Sequence, residues 1–290
     1  MTGFETLKYT PEVGRYEGLS ENEYHGCWDA WNVSRLKALK QTPAHCLEMM
    51  QNPPVKKSAA LRDGSALHCA ILEPERFESS YRVDPESPKG GYPSGWRNTN
   101  DYKGQVAQLR SEGITPLPLD IRDRCHFVRD RIYGEPSHAC DLLSEQSGAE
   151  VSYAVDDAET GLRCKIRNDL EVKSAGIICD LKKTESIAGF EKQVWDLSYY
   201  LSVPHYMDLM ETFEPGVWNC HVFLAIELKP PYEFHTVSLR PEALDFARRE
   251  RARLMETAEE CQRTGEWPGY CRSVEYLDLP AYAYTQEQFE

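Results

Sequence analysis

A mixed α/β (α+β) fold is what the sequence predicts, on three observations. Short apolar runs that read as strands gather between residues 150 and 239. Segments with helical apolar spacing flank them on both sides, the longest running from Pro241 to about Thr264 with Leu244, Ala247, Leu254, Ala258 and Cys261 in phase. The chain has 290 residues, 41% of them hydrophobic, enough for a sizeable core.

In chain order, residues 1–33 read as irregular, with Tyr9, Tyr16, Tyr24, Trp28 and Trp31 as an aromatic cover. SRLKALKQTPAHCLEMM then predicts a short helix capped by Ser34, a break near Pro43 and a second helix. SAALRDGSALHCAILEPERF predicts a helix that buries Leu67, Ala70 and Ile71 and carries His68. Residues 78–117, rich in Pro, Gly and Ser, show no apolar periodicity and read as a long loop. Helices over 119–133 and 137–145 precede a strand from Glu150 to Val155. Beyond the centre, a helix interrupted near Pro204 is followed by strands over Val217–Glu227 and Tyr232–Leu239.

The chemistry concentrates in GLRCKIRNDLEVKSAGIICDLKKT, residues 161–184. Ile177, Ile178 and Cys179 form an apolar run that ends in Asp180, Leu181 and Lys182. Strand side chains alternate faces, so Asp180 and Lys182 share one face while Leu181 points to the core and Lys183 away from the site. Arg163, Lys165, Arg167 and Asp169 also recur at every second position. If the two segments pair around a turn at Glu171–Ala175, Asp169 lies near Asp180 and two carboxylates face one lysine. Carboxylates held together repel, and a divalent cation relieves the repulsion. A lysine beside them suits phosphodiester hydrolysis.

Other classes lack their signatures. The ten cysteines include no C-x-x-C pair, which suggests a reducing compartment and no zinc or iron–sulfur site. No apolar run reaches membrane-spanning length and the N-terminus has no basic-then-apolar signal, so a cytoplasmic location without a membrane is expected. P-loop, dinucleotide, H-E-x-x-H and G-x-S-x-G motifs are absent. The net charge of −14 does not by itself suggest a nucleic-acid binder, which then needs a local basic surface. Arg248, Arg249, Arg251 and Arg253 on the last helix form either such a surface or a solvated face.

The order SRLKALKQTPAH, GSALHCAILEPERF, GLRCKIRNDLE, IICDLKKT and LDLPAYA resembles the RecE-like (exonuclease VIII) nucleases of the PD-(D/E)XK superfamily, over about residues 24–283. The resemblance implies a single domain over 1–290, with a helical part at about 24–145 and a catalytic core at about 149–265 built as a central mixed sheet flanked by helices. It implies 5′-to-3′ degradation of one strand of linear double-stranded DNA, leaving 3′ single strands for a RecT-like annealing protein, and a homo-oligomeric ring. Mg²⁺ is the implied cofactor, with Mn²⁺ substituting. His68, Asp169, Asp180 and Lys182 match the catalytic positions, and His68, Asp169, Asp180 and the carbonyl of Leu181 are the implied metal ligands. Glu150 is a further acidic candidate, and Ser34 at a helix N-terminus a candidate phosphate ligand. In the usual Q-x-x-x-Y arrangement this chain has Ser202 before Tyr206, which alters the expected DNA contacts. An inactive DNA-binding accessory protein would account for that substitution, and an acidic DNA-mimicking protein for the charge.

Overall fold

The computed structural model describes residues 8–53, 59–270, 274 and 276–278. Most of LDLPAYA therefore lies outside the described residues. Among them, strand β1 (Gly14–Tyr16) is followed by helices α1 (Val33–Gln41), α2 (Pro43–Gln51), α3 (Ala59–Leu72) and α4 (Pro74–Ser80). Strand β2 (Tyr81–Val83), helix α5 (Asn100–Ser111) and strand β3 (Thr115–Leu117) come next, then helices α6 (Leu119–Gly134) and α7 (His138–Ser144). The remainder comprises β4 (Gly148–Asp156), β5 (Arg163–Val172), β6 (Ile177–Thr184), α8 (Phe190–Asp196), α9 (Ser202–Phe213), β7 (Cys220–Glu227), β8 (Phe234–Val237) and α10 (Pro241–Thr264).

Six strands form one mixed sheet in the order β1-β4-β5-β6-β7-β8. Of its pairings only β6–β7 is parallel, so the chain between these strands must cross over the sheet, and α8 and α9 lie on that path. One core packs α3, α6 and α7 against Leu170, Val172, Cys179, Leu181, Val222 and Leu224. The opposite core packs α1, α9 and α10 against Val151, Tyr153, Val155, Cys164, Ile166 and Ile178. The β6 residues divide between these cores by parity, Ile178 on one side and Cys179 and Leu181 on the other, as the alternation predicts.

Several local expectations are corrected. Asn32, not Ser34, caps α1: its side-chain oxygen accepts from the Arg35 N–H at 3.0 Å, and Ser34 sits inside the first turn. Residues 78–117 hold α5 and the parallel pair β2–β3; α5 buries only Val106, too little to leave an apolar period in the sequence. The break before α9 falls at a 3₁₀ turn, Tyr199–Leu201, and Pro204 occupies the first turn of α9, where a missing N–H is tolerated. The N-terminal stretch is not wholly irregular, because β1 pairs with β4. Its aromatics do cover the sheet, with Tyr24 and Trp28 buried against Ala154. Glu171 belongs to β5, so the hairpin turn is tighter than the sequence suggested. At its end Gly176 has φ +65°, and a Cβ there would meet the Val217 carbonyl oxygen at 2.6 Å.

Arg251 shows that the α10 arginines do not act as one face. It is buried and paired with buried Asp157, which also accepts from the Thr160 N–H and hydroxyl. Burial pushes the Asp157 carboxyl up, but Arg251 and Thr160 outweigh it and hold it below its usual value. A depressed carboxyl stabilises the fold above its unfolded pKa, and that stability is lost as pH falls through the folded value. Arg251→Met should therefore cost about 3–5 kcal/mol in urea unfolding near neutral pH, because it strands a buried carboxylate. The cost should shrink on acidification, and Arg251→Met with Asp157→Leu should recover most of it.

Candidate active site

The site forms where β5 and β6 separate. They pair at Val172↔Ile177, Glu171↔Ile178 and Leu170↔Cys179 and then diverge. In the gap, Asp169 Oδ2 accepts the Leu181 N–H at 2.8 Å, so a side chain replaces the partner strand. Across β5, Glu150 has φ +51°, unusual for a residue with a Cβ, and it sits between the pairs Val151↔Asn168 and Ala149↔Leu170. There β5 changes face: Cys164 and Ile166 pack toward α9 and α10, whereas Leu170 and Val172 pack toward α3. Asp169 reaches the cleft through this switch, not through unbroken alternation.

Helix α3 brings His68 over the gap, its Nδ1 3.7 Å from both Glu150 Oε1 and Asp169 Oδ2. One ligand atom from each of His68, Glu150 and Asp169 lies within 4.8 Å of the others. Asp180 lies outside this triad. Its Oδ2 is 3.1 Å from Lys182 Nζ, which stands 3.9 Å from Asp169 Oδ2 and so bridges the two carboxylates. On its other side is His221 of β7, wholly buried, with Nε2 3.6 Å from Asp180 Oδ2. Sequence reasoning missed His221 because its proximity comes from the parallel β6–β7 pairing, which no local pattern signals.

A cleft of about 700 Å³ opens over His68, Glu150, Asp169 and Lys182, lined also by Ser34, Arg167, Leu181, Lys183, Tyr199 and Tyr206, with Asp180 and His221 outside its lining. Lys183 was expected away from the site. It does leave β6 on the α3 face, with Nζ 3.2 Å from where a Cβ on Gly64 would sit, but that face too borders the cleft. Ser202 does not line the cleft: it is buried and donates its hydroxyl to the Tyr199 carbonyl at 2.6 Å. Tyr206, one helical turn on, does reach it, and burial pushes its phenol well up.

The charges are interlocked. Burial and the neighbouring carboxylates raise the Asp169 carboxyl to about 6, although Lys182 and His68 pull it down. Burial works against charge on His68, yet Asp169 and Glu150 outweigh it and raise its imidazole. Asp180 is held well below the carboxylate range by Lys182 and then His221, against its burial. Lys182, also opposed by burial, is raised by Asp180 and Asp169 and stays a cation. The donor set fits a divalent cation: two carboxylates and an imidazole converge, and Asp180 Oδ1 is buried without a hydrogen-bonding partner among the described residues.

Residues 32–280 match the family described as PDDEXK-like domain of unknown function (DUF3799). The chain belongs to this family. A crystal structure from Eubacterium rectale, described as that of a putative exonuclease, superposes with a TM-score of 0.54 at 14% identity, covering 87% of this chain and 91% of that one. This likeness concerns the fold, which is that of the PD-(D/E)XK nucleases. No curated protein matches the sequence. Among the described residues no helix is long and apolar enough to cross a membrane.

Protons on His68 and Asp169 must leave before a cation binds. Affinity for Mn²⁺, measured by calorimetry, should therefore fall as pH drops through about 6, the Asp169 value, with the raised His68 adding to the fall. Binding should release protons, seen as a heat that depends on the buffer. Glu150→Gln should weaken binding, and an unchanged affinity would remove Glu150 from the centre.

Proposed function

We propose that the chain is a Mg²⁺-dependent exonuclease that hydrolyses linear double-stranded DNA from the 5′ end. The observation that carries this reading is the meeting of His68, Glu150 and Asp169 with the Asp180–Lys182 pair at one strand divergence. The RecE-like order of motifs supports the polarity, the release of 5′-mononucleotides, the 3′ single strand left for a RecT-like annealing protein, and a ring of identical subunits.

His68, Glu150, Asp169 and Asp180, with the Leu181 carbonyl, would hold Mg²⁺, or Mn²⁺ in its place. When bound, such a cation polarises the scissile phosphate and lowers the pKa of a coordinated water. Lys182 acts as a fixed positive charge. The carboxylates that raise its pKa make it a poor proton acceptor, so it stabilises charge developing on the phosphate instead of serving as general base. Asp169 fixes the width of the gap through the Leu181 N–H, and His221 lies behind Asp180, with Nε2 3.6 Å from its Oδ2. Ser34, which lines the cleft near the N-terminus of α1, would meet a terminal phosphate there.

Incubation of 5′- and 3′-labelled linear duplex with Mg²⁺ or EDTA tests activity, metal and polarity together. Nucleotides should leave from the 5′ end only with Mg²⁺, and Asp169→Ala should abolish their release. Lys182→Ala should lose on the order of 10² to 10⁴ in rate, as expected for an electrostatic group at the reacting centre. Lys183→Ala should stay within a few-fold. Equal losses from the two lysines would mean that they merely attract phosphate.

A further inference from the structure

Outward from the cleft runs a row of aromatic rings and lysines that the catalytic arrangement does not use. Tyr199, which lines the cleft, has its ring centroid 5.6 Å from Lys182 Nζ and 4.8 Å from Nζ of Lys37 on α1. Lys40, one turn further along α1, donates to the Tyr200 hydroxyl at 2.7 Å and lies 5.3 Å from the Trp195 ring centroid. Trp195 stacks on Tyr200 with centroids 5.4 Å apart and planes at 17°, and Phe246 of α10 adjoins both.

This cluster is not closed over. Tyr200 is buried beneath it, but Trp195 is 57% exposed and Phe246 41%, and neighbouring Leu197 is also exposed. A tryptophan that served packing alone would be covered, and contiguous exposed apolar groups usually mark a binding surface. The charges point to the ligand. The chain carries −14 overall, yet Lys37 and Lys40 stand here against aromatic faces, and the carboxylate nearest in sequence to Trp195, Asp196, is already paired with Lys192. An aromatic face beside a cation matches the alternation of base and phosphate in a nucleic-acid strand. Bases in a duplex have their faces occupied by neighbours, so such a surface selects unpaired ones.

We propose that exposed Trp195, backed by buried Tyr200, and Lys40 form a stacking platform for an unpaired nucleotide of the strand engaged at the Asp169–Lys182 centre, an inference that rests on the nuclease reading. Tyr199, which lines the cleft, precedes Tyr200 in the same 3₁₀ turn, and Lys37 beside it is one turn of α1 from Lys40.

The test is binding of fluorescent oligo(dT) in EDTA, where no cleavage occurs, with a blunt duplex of equal length and an oligomer of abasic sites as comparisons. Trp195→Ala should weaken oligo(dT) binding on the order of tenfold, the loss of about one stacked base, and leave duplex binding nearly unchanged. Trp195→Phe should retain most of the affinity, which separates stacking from a folding defect. The abasic oligomer should bind the parent protein as weakly as oligo(dT) binds Trp195→Ala. Equal losses for single strand and duplex, no loss at all, or equal binding of the abasic oligomer would each overturn the platform. So would a change in self-association on Trp195→Ala without base dependence, which would make this face a contact between copies. Base-dependent binding in a protein that shows no Mg²⁺-dependent hydrolysis would uphold the platform while removing the nuclease reading.

Discussion

The site depends on a controlled failure of strand pairing. Two antiparallel strands that kept their ladder would leave no room for a cation between them, and two that separated freely would hold no fixed spacing. Here Leu170 and Cys179 pin the closed end by packing on the α3 side of the sheet, and the tight turn at Gly176 fixes the register. At the open end the Asp169 carboxylate takes over the Leu181 N–H, so the separation is held by a hydrogen bond and not by chance. Asp169 thereby has a structural task as well as a place in the candidate metal group.

Burying so much charge requires mutual compensation. Asp180 is matched by Lys182, and His68 by Glu150 and Asp169, with Lys182 linking the groups. Each partner's state depends on the next, so removing one shifts the others. The arrangement also reconciles an acidic chain with a polyanionic ligand. Arg76, Arg167, Lys182 and Lys183 line the cleft, while much of the acidic surplus lies on exposed surface elsewhere.

The centre was legible where the signal is local. The alternation in IICDLKKT placed Asp180 and Lys182 on one face because a paired strand keeps a period of two. The long helix from Pro241 was legible from its apolar spacing and ends as expected. The rest required tertiary information. Glu150 takes its place from a backbone kink, His221 from a parallel neighbour reached by a crossover, and β1 from pairing with a distant strand. Helix α5 was hidden because one buried valine is too sparse to show a period. Ser34 was mistaken for a cap because Asn32, two residues earlier, offers the same kind of acceptor at a better backbone angle.

Because β6 and β7 run parallel, the chain leaving β6 must travel outside the sheet before it returns, and it passes the cleft at Tyr199 on the way. The carboxylates and Lys182 stand on β4, β5 and β6, whereas α8 and the 3₁₀ turn pack on α9, α10 and Phe223 of β7, and touch β6 through Gln193, which donates to the Lys183 carbonyl, and Tyr199, whose ring faces Lys182. The acidic centre and the proposed platform thus lie on adjacent lengths of polypeptide. Changes within residues 185–201 that spare Gln193 and Tyr199 would reshape the edge of the cleft and leave the acidic centre next to it in place.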